Sequence, residues 1–101
     1  MTVRFSTHAT DQLSSQLEYL LSKGAIEPAR ALRHRVLTFA DDFLAVHPKA
    51  GTYIPERDIF EIWIPRTRFV LLYRIENDRD VRILALFHSS QDRARFEADN
   101  E

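Results

Sequence analysis

The first half of the chain carries apolar residues at helical spacing. A short β-prone run, VRFS (3–6), precedes a first predicted helix, which Thr7 or Thr10 would cap and Gly24 would end. A second helix is predicted after Glu27 and would stop before Pro48. The apolar stripes of the two helices are Ala9, Leu13, Leu17, Leu20 and Leu21, and then Leu32, Val36, Phe39 and Phe43. Two helices separated by about four residues predict an αα-hairpin, with Pro28 at the first position of its second helix.

The second half has the character of β-strands. Three apolar, β-prone runs are joined by turns at 65–67 and 76–80: IFEIWI (59–64), RFVLLYRI (68–75) and VRILALFH (81–88). The segment 48–58 contains two prolines and a glycine and is predicted to be irregular. The chain is therefore predicted to be one α+β two-layer domain over 1–101, built from an N-terminal strand, the αα-hairpin and a three-stranded antiparallel meander. Residues 89–101 would form a short helix or a flexible tail.

The last two runs predict a hairpin with two unlike faces. If Ile75 pairs with Val81, one face is apolar throughout and should lie against the helices. Its pairs would be Tyr73–Ile83, Leu71–Ala85 and Phe69–Phe87. The other face would be apolar in the middle and basic at both ends, with the pairs Arg74–Arg82, Leu72–Leu84, Val70–Leu86 and Arg68–His88. A slip of two residues would keep these faces but separate Arg68 from His88.

Composition narrows the classes of function. The 101 residues are 45% hydrophobic and 29% charged, which is typical of a globular domain. The formal net charge of −1 argues against a nucleic-acid coat built on overall basicity. Lys23 and Lys49 are the only lysines, so the basic residues are mainly arginine, which suits bidentate contacts with phosphate or carboxylate.

Several kinds of site are not indicated. The absence of cysteine excludes disulfides and thiolate metal sites, and His8, His34 and His47 have no metal-binding spacing. The only glycines, Gly24 and Gly51, form no phosphate-binding loop, so no cofactor is expected. The sequence has neither a signal peptide nor an apolar run long enough to span a membrane, and a cytoplasmic location is expected. Trp63 is expected in the core.

A combination of short motifs resembles a known family. It comprises P-x-x-G at 48–51, Arg57 followed by DIFEI, the strand RFVLLYRI (68–75), an acidic turn, and V-x-I-L-x-x-x-H at 81–88. In this order and at this length, the chain is similar to the ParE/RelE superfamily of bacterial type II toxins. The resemblance is to its ParE-like, plasmid-stabilisation branch.

This resemblance implies a toxin that acts on its own cell. ParE-type members inhibit DNA gyrase by binding it, and this is the expected function, with growth arrest as its result. RelE-type members cut messenger RNA on the ribosome, which is the alternative. A third possibility is a non-toxic member that only binds an antitoxin-like partner. In each case the expected partner is an antitoxin that wraps the toxin in a hetero-oligomer, with no membrane involved.

The expected site residues follow from the same resemblance. No catalytic residues are expected for a gyrase-binding toxin. A ribonuclease would use Arg68 as a phosphate clamp, His88 as general acid or base, and Arg93. Against it, Phe96 lies nearest to the position where that branch often has a tyrosine, and His88 is more simply interpreted as closing the last strand. The expected target-binding residues are Arg68, Arg74, Arg82, His88, Arg93 and Arg95, and the expected antitoxin-binding residues are Val70, Leu72, Leu84 and Leu86.

Overall fold

The computed structural model describes residues 2–77 and 79–89. The elements, in chain order, are β1 (Thr2–Phe5), α1 (Thr7–Ser22), α2 (Ile26–Thr38), a π-helix (Phe39–Leu44), β2 (Thr52–Ile54), β3 (Ile59–Trp63), β4 (Phe69–Glu76) and β5 (Asp80–His88). The strands form one sheet in the order β1-β5-β4-β3-β2, in which β1 is parallel to β5 and the other pairs are antiparallel. The predicted α+β architecture is confirmed. The predicted tail lies outside the described residues except for Ser89.

The N-cap of helix α1 lies one residue before Thr7, the first of the two predicted caps. Ser6 is the N-cap, and its hydroxyl oxygen accepts a hydrogen bond from the Ala9 N–H at 3.0 Å. The sequence analysis placed this role on Thr7 or Thr10 because it assigned Ser6 to the preceding strand. The predicted end is confirmed, since Gly24 follows the C-cap with φ +75°, a conformation that favours glycine.

The second helix changes its winding near the middle. It begins at Ile26 rather than after Glu27, and from Phe39 the chain continues as a π-helix. The wider π turn keeps residues four apart nearly on one face. The buried stripe is consequently Leu32, Val36, Ala40 and Leu44, whereas the predicted stripe turned towards Phe39 and Phe43. Phe43 is 38% exposed, and its ring stacks on Phe39 at 5.0 Å between centroids.

The sheet has one strand more than predicted. The segment 48–58 was expected to be irregular, but Thr52–Ile54 pairs with β3 as a short edge strand. Its three residues are flanked by Gly51 and Pro55, which hide so short a strand in the sequence pattern. Gly51 is required here by space, because a Cβ at this position would lie 2.7 Å from the Glu61 carbonyl oxygen and 2.9 Å from the Tyr73 hydroxyl.

A β-bulge in β5 changes the predicted register of the hairpin. The predicted pairing holds from Ile75 to Tyr73, where Tyr73 lies opposite Ile83. Leu84 is then an extra residue, and Ala85 takes the place opposite Leu72. The remaining observed pairs are Leu71–Leu86, Val70–Phe87 and Phe69–His88. The predicted pairs Leu71–Ala85, Phe69–Phe87, Leu72–Leu84, Val70–Leu86 and Arg68–His88 are therefore wrong.

The bulge exchanges the faces of β5, because side chains alternate with a period of two. Leu86 turns towards the helices and is 1% exposed, in the same core cluster as Leu71 and Tyr73. Ala85 and Phe87, which were expected against the helices, lie instead in a second cluster on the opposite face of the sheet.

Ser6 and Gln12, at the start of α1, bind the backbone of β5 around the bulge, beyond the point where β1 ends at Phe5. The Ser6 N–H donates to the Ile83 carbonyl at 2.8 Å, and the Ser6 hydroxyl donates to the Leu84 carbonyl at 3.1 Å. Beyond the bulge, the Leu86 N–H donates to Oε1 of Gln12 at 2.7 Å. Ser6 thus both caps the helix and fixes the bulge, so the two features are stabilised together.

The core has two parts on either side of the sheet. The larger part joins the two helices, the π-helix and the near face of the sheet around Leu71, Tyr73 and Ile83. We call the other face the distal face; the members of its cluster all lie on strands and are Ile54, Ile59, Val70, Leu72, Leu84, Ala85 and Phe87. Trp63 was expected in the core but is 57% exposed. Among the described residues, no helix is long and apolar enough to cross a membrane.

We predict that Ser6→Ala lowers the free energy of unfolding by about 1–2 kcal/mol, because both the helix cap and the hydrogen bond to the Leu84 carbonyl are lost. Urea unfolding measures this change. Ser14→Ala, at an exposed position of α1, is the control and should be nearly neutral. Equal stability of the two variants would contradict the assigned role of Ser6.

We predict that Gly51→Ala destabilises the fold by roughly 1–3 kcal/mol, since the new methyl group would meet a backbone carbonyl that cannot swing away. The comparison variant is Gly24→Ala, which has open space but a positive φ and should lose about 1 kcal/mol. Thermal unfolding of both variants decides the point. A smaller effect at Gly51 than at Gly24 would mean that the 45–51 loop moves away easily.

Candidate functional site

Three arginines lie side by side on the distal face. The parallel pairing of β1 with β5 places Arg4 opposite Arg82, and the antiparallel pairing of β5 with β4 places Arg82 opposite Arg74. We call these three residues the arginine rung. Neighbouring strands are about 4.8 Å apart, so the rung spans about 10 Å across three strands. The Arg74–Arg82 pair was predicted from the sequence and is confirmed.

Arg4 is the member that the sequence analysis missed. A signal was present, because β1 and β5 contain the same pattern of valine, arginine and an apolar residue, VRF at 3–5 and VRI at 81–83. The register aligns these two tripeptides residue by residue. Nothing in the pattern, however, indicated that the first strand would pair with the last one.

Arg74 is held by the fold. Its Nε–H donates to the Asp58 carbonyl at 3.1 Å and its Nη2 donates to the Arg57 carbonyl at 3.0 Å. These carbonyls belong to the β2–β3 turn, where Asp58 has φ +54°. The turn is also bound from the other side, because the Tyr53 hydroxyl donates to Oδ1 of Asp58 at 2.8 Å, and this hydrogen bond raises the pKa of Tyr53. Arg74 is therefore first a structural residue, with three of its five N–H groups left for other contacts.

Arg4 and Arg82 are held differently. Both side chains are exposed, and within the described part of the chain no carboxylate oxygen lies within 4.0 Å of either guanidinium. An ion pair between Arg30 and Glu27 lies on the surface of α2. Like charges directly opposite each other repel, so this rung is electrostatically unfavourable in the chain alone.

Acidic residues follow the rung towards the β4–β5 turn. Asp80 lies opposite Glu76 on one side and Thr2 on the other, two residues along the strands from the arginines. The distal face of β5 therefore presents Asp80, Arg82 and Leu84 at every second position. An acidic, a basic and an apolar contact point are set about 6.6 Å apart along one strand.

Arg68 and His88 are not cross-strand partners. The bulge places His88 opposite Phe69, whose ring it meets edge-on with 5.3 Å between centroids. Arg68 precedes β4, its side chain is exposed, and its carbonyl accepts from the Ser89 N–H at 2.7 Å. A phosphate clamp beside a general acid, which depended on the predicted Arg68–His88 pair, is not supported by this register.

The expected apolar partner-binding residues divide between the two faces. Val70 and Leu72 lie on the distal face but are only 2% and 1% exposed, while Leu84 is half-buried there. Leu86 belongs to the helix-facing core, so its expected position on the partner face is wrong, and the bulge is the physical reason. Arg93 and Arg95 lie outside the described residues.

A second exposed region lies on the helical side. Phe43 separates two surface depressions, one towards His47 and Pro48, and another towards Arg35 and Arg66. The Phe43 and His47 rings are 5.0 Å apart, which extends the stack that begins at Phe39. The sequence analysis assigned Phe43 to the core because it expected a regular α-helix. The described residues include no group of three or more His, Asp or Glu side chains able to bind a metal.

We predict that Arg74→Lys lowers the free energy of unfolding by about 1 kcal/mol, because an ammonium group cannot reproduce the forked hydrogen bonds to the Arg57 and Asp58 carbonyls. Arg82→Lys, on the same rung without these contacts, should change it by less than about 0.5 kcal/mol. Urea unfolding of the two variants measures the difference. Equal effects would show that the contacts of Arg74 with the turn contribute little.

The sequence and the fold are similar to those of known proteins. The family model described as the ParE toxin of the type II toxin–antitoxin system, parDE, matches residues 3–93. The chromosomal ParDE system from P. aeruginosa includes a chain with a TM-score of 0.67 and 14% identity, over 87% of this chain and 95% of that one. The RelBE2 toxin–antitoxin complex from Mycobacterium tuberculosis includes one with a TM-score of 0.59 and 27% identity, over 86% and 95%. None of the curated protein sequences matches.

The similarity to the P. aeruginosa chain, at 14% identity, shows only a shared fold. The family assignment rests on the match to the ParE toxin model. That match spans β1 to β5 and includes every residue of the arginine rung. The chain belongs to the ParE family of type II toxin–antitoxin toxins, within the ParE/RelE superfamily.

Proposed function

We propose that this ParE-family toxin acts by binding DNA gyrase and that a cognate antitoxin neutralises it by covering the distal face. The observation that carries the proposal is the match of the ParE toxin model to residues 3–93. The expected result of toxin action is growth arrest, and the chain itself supplies contacts rather than chemistry.

The chemistry of the distal face supports a binding role. Arg4, Arg68 and Arg82 have exposed side chains, and a guanidinium is a directional donor that binds carboxylate or phosphate in two-point geometry. Such groups could meet acidic residues of gyrase or the phosphates of DNA held by it. Arg93 and Arg95 remain proposed members of this surface. His88 remains a proposed target contact, but it lies opposite Phe69 on the helix-facing side of the sheet.

The antitoxin is the second proposed partner. The two structural relatives named above are a ParDE system and a RelBE2 toxin–antitoxin complex, which supports a hetero-oligomer here as well. Val70 and Leu72 are already almost completely buried, so a protein that covers this face would first meet the half-buried Leu84 and the exposed indole of Trp63. The exposed Phe43 offers a further apolar contact on the helical side.

A RelE-type ribonuclease is the alternative, and the 27% identity to a chain of the RelBE2 complex is the observation in its favour. It would need Arg68, His88 and Arg93 to act on one phosphate. In the observed register His88 lies opposite Phe69 and not opposite Arg68. The ribonuclease alternative is therefore weaker than gyrase binding. A family member that binds its antitoxin without being toxic is the third outcome to be tested.

We predict that the purified protein prevents gyrase from supercoiling relaxed plasmid in the presence of ATP, with accumulation of linear, protein-linked DNA. Addition of the co-expressed antitoxin should restore supercoiling. Full supercoiling at excess protein would remove gyrase as the target. Cleavage of ribosome-bound messenger RNA would then support the ribonuclease, and normal growth on expression without the antitoxin would support the non-toxic member.

The distal face can be tested in the same assay with the double variant Arg68→Ala/Arg82→Ala. We expect it to need at least about a hundredfold more protein for the same inhibition, because two charge-assisted hydrogen bonds of about 1.5–3 kcal/mol each are lost. Arg74 is left intact because it holds the β2–β3 turn. Arg30→Ala/Arg33→Ala, on the exposed surface of α2, is the matched control for charge. Equal potency of the two double variants would place the gyrase contact elsewhere.

A further inference from the structure

We propose that the arginine rung is the docking point for an extended segment of the antitoxin, in which the residues facing the sheet are apolar, acidic and basic at every second position. This inference rests on the proposed toxin–antitoxin function and deepens it, since it names the chemistry of the bound segment. In the proposed complex Leu84 contacts the apolar residue, Arg4 and Arg82 contact the acidic residue, and Asp80 contacts the basic one.

In the unbound chain the positive charges of the rung repel each other, so binding of an anion there would be favourable. Three guanidinium groups lie on adjacent strands in direct register, and Arg4 and Arg82 have no carboxylate within 4.0 Å among the described residues. A bound carboxylate between them would replace repulsion by two charge-assisted interactions. Arg74 adds a donor that is already oriented, because two backbone carbonyls hold its guanidinium in place.

The surroundings of the rung favour a protein segment over nucleic acid. Glu76 and Asp80 lie two residues beyond the rung on the same face, and Asp80 is in register with both neighbouring strands. A sugar-phosphate chain that followed the strands would bring further negative charge onto these carboxylates. In a polypeptide, by contrast, the charge can differ from one residue facing the sheet to the next. One such residue can be acidic opposite the arginine rung and the next can be basic opposite Glu76 and Asp80.

The spacing of the rows sets the spacing in the partner. Asp80, Arg82 and Leu84 occupy alternate positions of β5, about 6.6 Å apart. An extended segment that runs along β5 also presents alternate side chains to one side at this distance. The partner sequence is therefore apolar-x-acidic-x-basic, in either chain direction, and both end residues are needed to fix the acidic one over the rung.

The test uses fluorescently labelled peptides and the full-length toxin. One peptide carries the core Leu-Thr-Glu-Thr-Lys, and a second of identical composition carries Leu-Thr-Lys-Thr-Glu. Fluorescence anisotropy should show the first peptide binding the toxin at least about tenfold more tightly than the second. A labelled single-stranded oligonucleotide of similar length is the third probe, and it should bind more weakly than the first peptide.

Charge reversal in the toxin provides the decisive comparison. With Arg82→Glu the preference for the first peptide should be lost, because each peptide then makes one matched and one mismatched charge contact with positions 82 and 80, whereas Arg33→Glu on α2 should leave the preference unchanged. Circular dichroism and thermal unfolding show whether each variant is folded, and Arg4→Glu serves as a second reversal variant on a different strand. Loss of the preference in either rung variant, with the control unchanged, supports the proposal.

Two results would overturn it. Equal affinity of the two peptides would show that the rung does not select an acidic segment, and tighter binding of the oligonucleotide would show that the rung serves nucleic acid. Neither measurement involves gyrase. If the unsubstituted toxin binds both peptides equally but still inhibits gyrase and binds its antitoxin, only the role assigned to the rung is overturned. If the toxin does not inhibit gyrase, the result with the peptides is unaffected.

Discussion

The extra residue in β5 is the constraint on which the faces of the sheet depend. Leu84 shifts the second half of the strand by one position, so Leu86 enters the helix-facing core and Phe87 turns to the distal face. Strand β1 ends at Phe5, and around the bulge Ser6 and Gln12 at the start of α1 bind the Leu84 carbonyl and the Leu86 N–H of β5. The position of the helix and the register of the sheet are thus fixed by the same few hydrogen bonds.

The three arginines on one side of the bulge have different roles. Before it, the register keeps Arg4, Arg82 and Arg74 in one row. Their roles differ because of what each guanidinium can reach. Arg74 reaches the carbonyls of the β2–β3 turn and stabilises the fold, whereas Arg4 and Arg82 project into solvent beside an acidic row. A surface of this kind combines a rigid donor with adaptable ones, which suits selective binding of a charged partner.

The sequence predicted what depends on local pattern and failed where long-range contacts decide. Helix α1, its end at Gly24 and the Arg74–Arg82 pair followed from spacing and turn residues. The bulge could not be predicted, because VRILALFH is apolar enough to satisfy either register. Arg4 was missed since its place is set by a partner far along the chain. Phe43 was misplaced because the π-helix, and not the apolar pattern, determines which residues face the core.

The pairing of β1 with β5 has a consequence for how the toxin comes into being. Val3 of β1 pairs with Val81 of β5, so β1 can join the sheet only after β5 has been made. Contacts so distant in sequence form slowly compared with local ones, and they require that the intervening chain has already been made. The arginine rung includes residues of β1 and β5, so it cannot form before β5 has been synthesised. The surface built on the rung is therefore available to a partner only after β5 has been made and has paired with β1 and β4.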